Sequence, residues 1–388
     1  MDPVASRDDE TAATGTTGGP WLLVVCSLEP WGTVQRRMQL MVRELMDLDP
    51  TVSVIYVEPA IDVPYALAHG DVSGALRRPP ASMPRLTVER TRKWLPRVLG
   101  SFADRSLARQ VRRAVRDSGQ GPPVLWVNDS AYARLVGSTD WPAVYDVTDD
   151  WIAASVSKRA RDRFEMDDAL LVRSCGAVVV CSPDLARSRG KDRPVELIPN
   201  GVDVDLFTTP VPRPADLPDG AVLLYPGTLH EDRLDVDLAV DLARSRPDAS
   251  LVFVGPNALA PTSTALFDGV GNIVVLGARP YEEVPGYLQH ADIVVIPHRI
   301  TPFTESLDPI KAYECLAVGR PTVSTPVAGF RDLGEPVRVV DRSKFVGAVG
   351  DLLDSAGGAR LPSRSRPVAT WQERARMFAA VLDSVRSK

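Results

Sequence analysis

Short, uninterrupted runs of aliphatic and β-branched residues alternate along this chain with longer stretches whose apolar positions recur at helical spacing. WLLVVCSL (21–28), TVSVIYVEP (51–59), PVLWVND (123–129), AVYDVTDD (143–150), AVVVCS (177–182) and VELIPNGVD (195–203) form one series. AVLLYPG (221–227), ASLVFVGP (249–256), NIVVLG (272–277), ADIVVIPH (291–298) and PTVSTP (321–326) form a second. A strand that is apolar at every position must be covered on both faces, the condition of a parallel sheet between layers of helices. TTPVPRPADLPDG (208–220), with four prolines and little apolar content, separates the two series as a linker. The pattern predicts an α/β fold of two βαβ-type domains, over 21–207 and 221–360. A tail and amphipathic helix within 361–388 are expected to pack back toward the first domain. Residues 1–20 are polar, small and acidic and read as a disordered leader.

Composition removes several classes of function. The 388 residues carry 45 Lys and Arg against 50 Asp and Glu, a net charge of −5, which gives no case for binding nucleic acid. Cys26, Cys175, Cys181 and Cys315 show no CxxC spacing, so buried reduced thiols are expected in place of a zinc site or a disulfide framework. No signal-peptide pattern and no run of ~20 apolar residues is present, so a cytoplasmic protein is expected. The dinucleotide fingerprint, the P-loop, the GxSxG elbow and HExxH are all missing. Asp203-Val204-Asp205 and Asp235-Val236-Asp237 have the DxD spacing of a metal–nucleotide site. The first follows an Asn200-Gly201 turn and the second falls on a predicted helix, and no metal is expected at either.

The most informative stretch is DIVVIPHRITPFTESLDPIKAYECLAVGRPTVSTP (292–326). A buried strand ends at His298, a polar loop follows, and a helix is predicted with Asp308 as N-cap and Pro309 in its first turn. It should run to Val318 and stop at Gly319 in a left-handed cap. Its N-terminus would leave the carboxyl edge of the sheet, where open α/β sheets bind ligands, and its free amides suit a diphosphate. Glu314, one to two turns in, could accept hydrogen bonds from paired ribose hydroxyls.

With these residues in view, the strand–loop–helix resembles the donor-nucleotide signature of retaining GT-B glycosyltransferases of the group 1, family 4-like type. VVVCSPDLA (178–186), IPNGVDVDLF (198–207) and the YPGTL turn (225–229) are similar to that family as well. The resemblance implies two Rossmann-like domains facing a cleft. It implies retaining, metal-independent transfer of a hexose-type sugar from a nucleoside diphosphate to a hydroxyl acceptor, an envelope glycan precursor or a secondary metabolite. Glu314 then matches the second glutamate of E-x7-E, the ribose ligand. The first glutamate falls on Ser306, with Glu305 one residue early. Amides around Ser306, Leu307 and Asp308 would face the diphosphate or sugar. Thr228, next to Gly227, takes the place of the family's arginine and Arg233 that of its lysine, with Lys311 a further cation. Gly32, in the loop after the first strand, would let the backbone approach the donor. Asp129, Asp149, Asp150 and Trp31 are candidates for the acceptor side. No nucleophile stands out, and His298 and Asp149 are the catalytic candidates.

Two alternatives keep the same fold: a nucleotide-sugar 2-epimerase, and a catalytically silent nucleotide-sugar binder that partners another transferase. Residues 77–116 carry eleven arginines and Lys93 against Glu89 and Asp104. This stretch is expected either to touch a membrane surface or anionic acceptor, or to form a solvated helical face.

Overall fold

The computed structural model describes residues 19–68, 83–94, 100–154, 156–357 and 360–387. The leader through residue 18, and residues 77–82 and 95–99 of the arginine-rich stretch, lie outside the described residues.

The N-terminal lobe is built on seven strands: β1 (Trp21–Cys26), β2 (Val52–Asp62), β3 (Leu86–Lys93), β4 (Val124–Val127), β5 (Ala143–Val147), β6 (Ala177–Val180) and β7 (Glu196–Leu197). Their spatial order is β3-β2-β1-β4-β5-β6-β7, and every pairing is parallel. The C-terminal lobe repeats the plan with β8 (Ala221–Pro226), β9 (Ala249–Val254), β10 (Ile273–Gly277), β11 (Ile293–Ile296), β12 (Thr322–Ser324) and β13 (Val337–Val339). Its order is β10-β9-β8-β11-β12-β13, again parallel throughout.

The continuous apolar runs have the cause expected of them. In β1, Leu23 and Val25 enter one core cluster while Leu22, Val24 and Cys26 enter another on the opposite face. In β8, Val222 and Leu224 face one way and Leu223 and Tyr225 the other. All four cysteines are buried and free. In both sheets the strand order reverses between the first and fourth strands, and such a reversal opens a crevice at the carboxyl ends.

Two edge strands were not anticipated. β3 alternates apolar with charged residues, LTVERTRK, because it lies at the sheet margin, and β13 is only three residues long.

Helix α1 (Arg37–Leu48) lies after β1, α2 (Gly100–Asp117) after β3, α3 (Ile310–Val318) after β11, and α4 (Trp371–Arg386) ends the chain. Helix α4 packs on α1 and β5 of the N-terminal lobe. Phe378 lies 4.2 Å from the Trp126 ring, and the Arg386 guanidinium sits 4.5 Å over Trp21. Thr370 and Glu373 close its first turn as a reciprocal cap. The Asn200-Gly201 step is fixed by this chain crossing: a Cβ on Gly201 would lie 2.7 Å from the Thr370 carbonyl carbon. Close approach of two backbones, not turn chemistry, requires the glycine. One apolar cluster contains Met38 and Trp126 of the first lobe, Trp371 and Phe378 of α4, and Leu224 and Ile296 of the second.

Candidate active site between the lobes

The carboxyl edges of the two sheets face each other across a cleft of about 530 Å³. Leu28 and Glu29 after β1, Asn128 after β4, and Thr148 and Asp149 after β5 line one wall. Gly227 and Thr228 after β8, Gly255 after β9, His298 after β11, and Pro309 to Lys311 at the start of α3 line the other.

Helix α3 begins one residue later than its sequence suggests. Pro309 is the N-cap, in extended conformation (φ −75°, ψ 122°), and Gly319 closes the far end at φ 72° in the left-handed region. Asp308 does not cap the helix. Its carboxylate accepts the Asn200 main-chain N–H at 2.5 Å and the Tyr313 hydroxyl at 2.8 Å, while its carbonyl accepts from the Asn200 side-chain amide. Asp308 therefore ties the lobes together, and the first amides of α3 are left to the cleft, where the positive end of the helix dipole favours an anion.

Three cations line the same cleft. Lys311 Nζ donates to the Tyr225 hydroxyl at 3.1 Å and sits 4.2 Å over its ring. Gly227, at φ 117°, makes room for it, since a Cβ there would meet Lys311 Nζ at 2.8 Å. Arg233 lies over Phe303, 5.7 Å from the ring centroid, with a buried Nε that has no partner among the described residues. Its acidic neighbours are engaged elsewhere: Glu231 with Ser263, Asp232 with His230, and Asp235 with Arg342. Arg36 reaches over from the opposite lobe and donates to the Thr228 hydroxyl at 3.0 Å. None of the three forms an ion pair with a carboxylate among the described residues, whereas Arg37 and Arg279, also at the cleft, pair with Asp146 and Asp216. Unpaired guanidinium and ammonium groups around one helix N-terminus are what a diphosphate needs.

Carboxylates stand beside these cations. Glu314 is 8% exposed; burial pushes its carboxyl up to about 7, against the pull of Lys311. Glu29 Oε2 is buried with no hydrogen-bond partner among the described residues. Burial raises the Glu29 carboxyl to about 7, with Arg36 opposing and Asp149 adding to the rise. The Asp149 carboxylate accepts the Thr148 hydroxyl at 3.3 Å. His298 is buried, with Nε2 3.0 Å from the Tyr225 hydroxyl; burial first, then Lys311 and Arg233, hold it well below the usual imidazole range, so the ring is neutral.

Of the residues singled out in the sequence, Glu314, Arg233, Lys311, Leu307, Thr228, Gly227, His298 and Asp149 meet at the cleft, and Asp308 joins its wall as a tie. The others do not line it. Ser306 is wholly buried, its carbonyl accepting the Ser182 hydroxyl at 2.6 Å. Glu305 turns outward to Arg331 at 2.8 Å. Gly32 is exposed on the loop, where a Cβ would meet nothing within 4 Å, so no close approach by the protein explains the glycine. Asp129 caps the turn at Ala131, and Asp150 pairs with Arg189 at 3.1 Å. Trp31 packs edge-on against Tyr56, 4.9 Å between centroids.

Arg36 and Glu29 also line the cleft, although the sequence does not single them out. The available signal was their position beside a strand-end loop at a reversal in strand order. The two DxD pairs are helix caps: Asp203 accepts Leu206 N–H, and Asp235 accepts Leu238 N–H while pairing with Arg342.

Two parallel α/β lobes whose carboxyl edges meet over one cleft define the GT-B fold of glycosyltransferases. Residues 220–355, the C-terminal lobe, match the family glycosyl transferases group 1. The putative teichuronic acid biosynthesis glycosyltransferase TuaH of Bacillus subtilis is 24% identical over 282 residues, 66% of this chain and 70% of that protein. Sucrose-phosphate synthase from Thermosynechococcus elongatus has a similar structure, with a TM-score of 0.65 at 18% identity over 95% of this chain and 97% of its own. Anabaena HepE in complex with UDP-glucose gives a TM-score of 0.59 at 16% identity over 94% and 96%.

Proposed function

We propose that this protein transfers a hexose-type sugar from a nucleoside diphosphate to a hydroxyl acceptor held in the interlobe cleft, with retention and without a metal ion. The observation that carries this reading is that Arg36, Arg233, Lys311 and the N-terminus of α3 line one cleft, with Glu314 one turn further along the helix. The C-terminal-lobe match to glycosyl transferases group 1, the TuaH relative and the UDP-glucose complex of a structural neighbour support a transferase that uses a nucleotide sugar.

In this reading the three cations and the helix dipole stabilise charge on the departing diphosphate. Such preorganised groups stabilise charge that develops only in the transition state, where electrostatics contributes most. Glu314 accepts the ribose hydroxyls. Neutral His298 offers its ring to the sugar, and Asp149 and Glu29 orient the acceptor hydroxyl from the opposite wall. Its proton passes to the leaving phosphate oxygen as the new glycosidic bond forms and the old carbon–oxygen bond breaks. Cross-lobe bonds from Arg36 to Thr228 and from Gln35 to Glu282 hold the cleft closed over the donor and limit its hydrolysis.

The test is incubation of pure protein with a panel of nucleotide sugars, with and without hydroxyl acceptors, followed by product analysis. Release of nucleoside diphosphate together with an α-configured product from an α-configured donor is expected. An epimerised donor, or thermal stabilisation with no turnover in any mixture, would replace this reading with the epimerase or the silent binder.

A further inference from the structure

The two walls of the cleft belong to different lobes, and directional bonds must hold them in register. Arg233, Lys311 and Glu314 ride on the C-terminal lobe, and Glu29, Arg36 and Asp149 on the N-terminal one. Apolar contact between lobes is non-directional, so it excludes water without setting the register. Groups that react across a cleft are sensitive to that register, because a shift of about 1 Å can cost roughly 10²-fold in rate.

Such bonds gather at Asn200, which lies between β7 and the linker and is 5% exposed. All four of its polar atoms are engaged. Its main-chain N–H donates to the Asp308 carboxylate at 2.5 Å, and its side-chain Nδ2 donates to the Asp308 carbonyl at 2.5 Å. Its Oδ1 accepts from Arg37 at 3.2 Å, and its carbonyl accepts from Arg374 Nε at 3.0 Å. One residue thus reaches the segment that opens α3, the first turn of α1 and the first turn of α4. Its partners are fixed in turn. Arg37 pairs with Asp146 of β5 through Nε at 3.3 Å and Nη2 at 3.2 Å, and Asp146 also accepts the Trp126 N–H at 3.1 Å. Arg37 adjoins Arg36 in the chain, and Asp146 ends on the same strand that leads to Asp149, so these bonds anchor the N-terminal wall as well.

The other cross-lobe bonds are simpler. Arg36 to Thr228 and Gln35 to Glu282 are single bonds between part-buried side chains, and the Ser182 hydroxyl adds one strut to the Ser306 carbonyl. Position 200 requires an asparagine, since Nδ2 must donate to a carbonyl while Oδ1 accepts from a guanidinium. An aspartate of the same shape keeps the second bond, turns the first into two facing oxygens, and sets another carboxylate beside Asp308.

We propose that Asn200 is a positioning residue, which holds the N-terminal end of α3 in register with the acceptor wall. Its effect on turnover rests on the transfer reading above, whereas its effect on the placement of the lobes does not.

The variant N200D tests this in three measurements. Spin labels at M166C and L266C sit at exposed positions on Lys158–Ser174 of one lobe and Pro261–Asp268 of the other, and the four native cysteines are buried. One narrow interlobe distance is expected in the wild-type background, and a broader or displaced one with N200D. Turnover should fall about 10- to 100-fold. Titration with UDP, GDP and dTDP finds the nucleotide that wild type binds, and N200D should bind it within about twofold, since sites that share no partner are energetically independent. This split separates register from donor binding and from simple loss of stability. An unchanged distance distribution, or unchanged turnover once the distance has moved, would overturn the proposal. So would a nucleotide affinity that falls in step with turnover, because Asn200 would then touch the donor itself. Wild-type protein that binds no nucleotide would remove the transfer reading and leave the distances to decide. Should N200D not fold, D308N takes its place, keeping the shape and the carbonyl of Asp308 while removing its charge, and the same outcomes decide.

Discussion

Arg36 reaches out of one lobe to a hydroxyl of the other, and this makes it the residue whose removal says most about the cleft. Arg36→Ala should lower kcat/KM for the donor by about 10²-fold, the usual effect of deleting one preorganised charge-stabilising donor. In the proposed function Glu314 lies deeper and binds the part of the donor that does not react. Glu314→Ala should therefore raise donor KM markedly with a smaller change in kcat, and an unchanged KM would remove the ribose role. Glu29 and Glu314 also make stability depend on pH. Both carboxyls are raised from 4.5 to about 7 in the folded chain. Their stabilising contribution is thus complete below about pH 4.5 and is lost as pH rises through 7. The double variant E29Q/E314Q should gain in melting temperature relative to wild type as pH goes from 5 to 8; about 3 kcal/mol per site is the ceiling at 1.36 kcal/mol per pKa unit. A constant difference across that range would show that neither carboxyl is shifted. Glu314, Lys311 and Arg233 were legible because they lie on the segments that follow β8 and β11, whose carboxyl ends open on the cleft. Ser306, Trp31, Asp129 and Asp150 were not, because a turn cap and partners distant in the sequence decide where those residues point.

At the scale of elements, the strands were legible wherever both faces are buried. β3 was not, because its alternate positions are charged at a sheet margin, and the basic stretch around it reads as a surface helix. Helix α3 was read to within one residue at its start, since Asp308 is drawn away to Asn200. Helix α4 shows how much one amphipathic segment contributes when it crosses between lobes. Phe378 is fully buried against Trp126. Phe378→Ala should destabilise the protein by about 3–5 kcal/mol, as is usual for emptying a large aromatic site in a packed core. Denaturant unfolding measures this, and a loss under 1 kcal/mol would mean that the helix is docked mainly by its polar caps.

For the molecule as a whole, the carboxyl edges of the two sheets share one opening, so both lobes supply polar groups to the cleft. The apolar cluster beneath them belongs to neither lobe alone: α1, α4 and the inner face of the second sheet share it. A cut within residues 208–220 would consequently leave each fragment with a bare greasy flank. Expressed singly the two pieces should aggregate, and expressed together they should reassemble, with the terminal helix acting as a clasp between them.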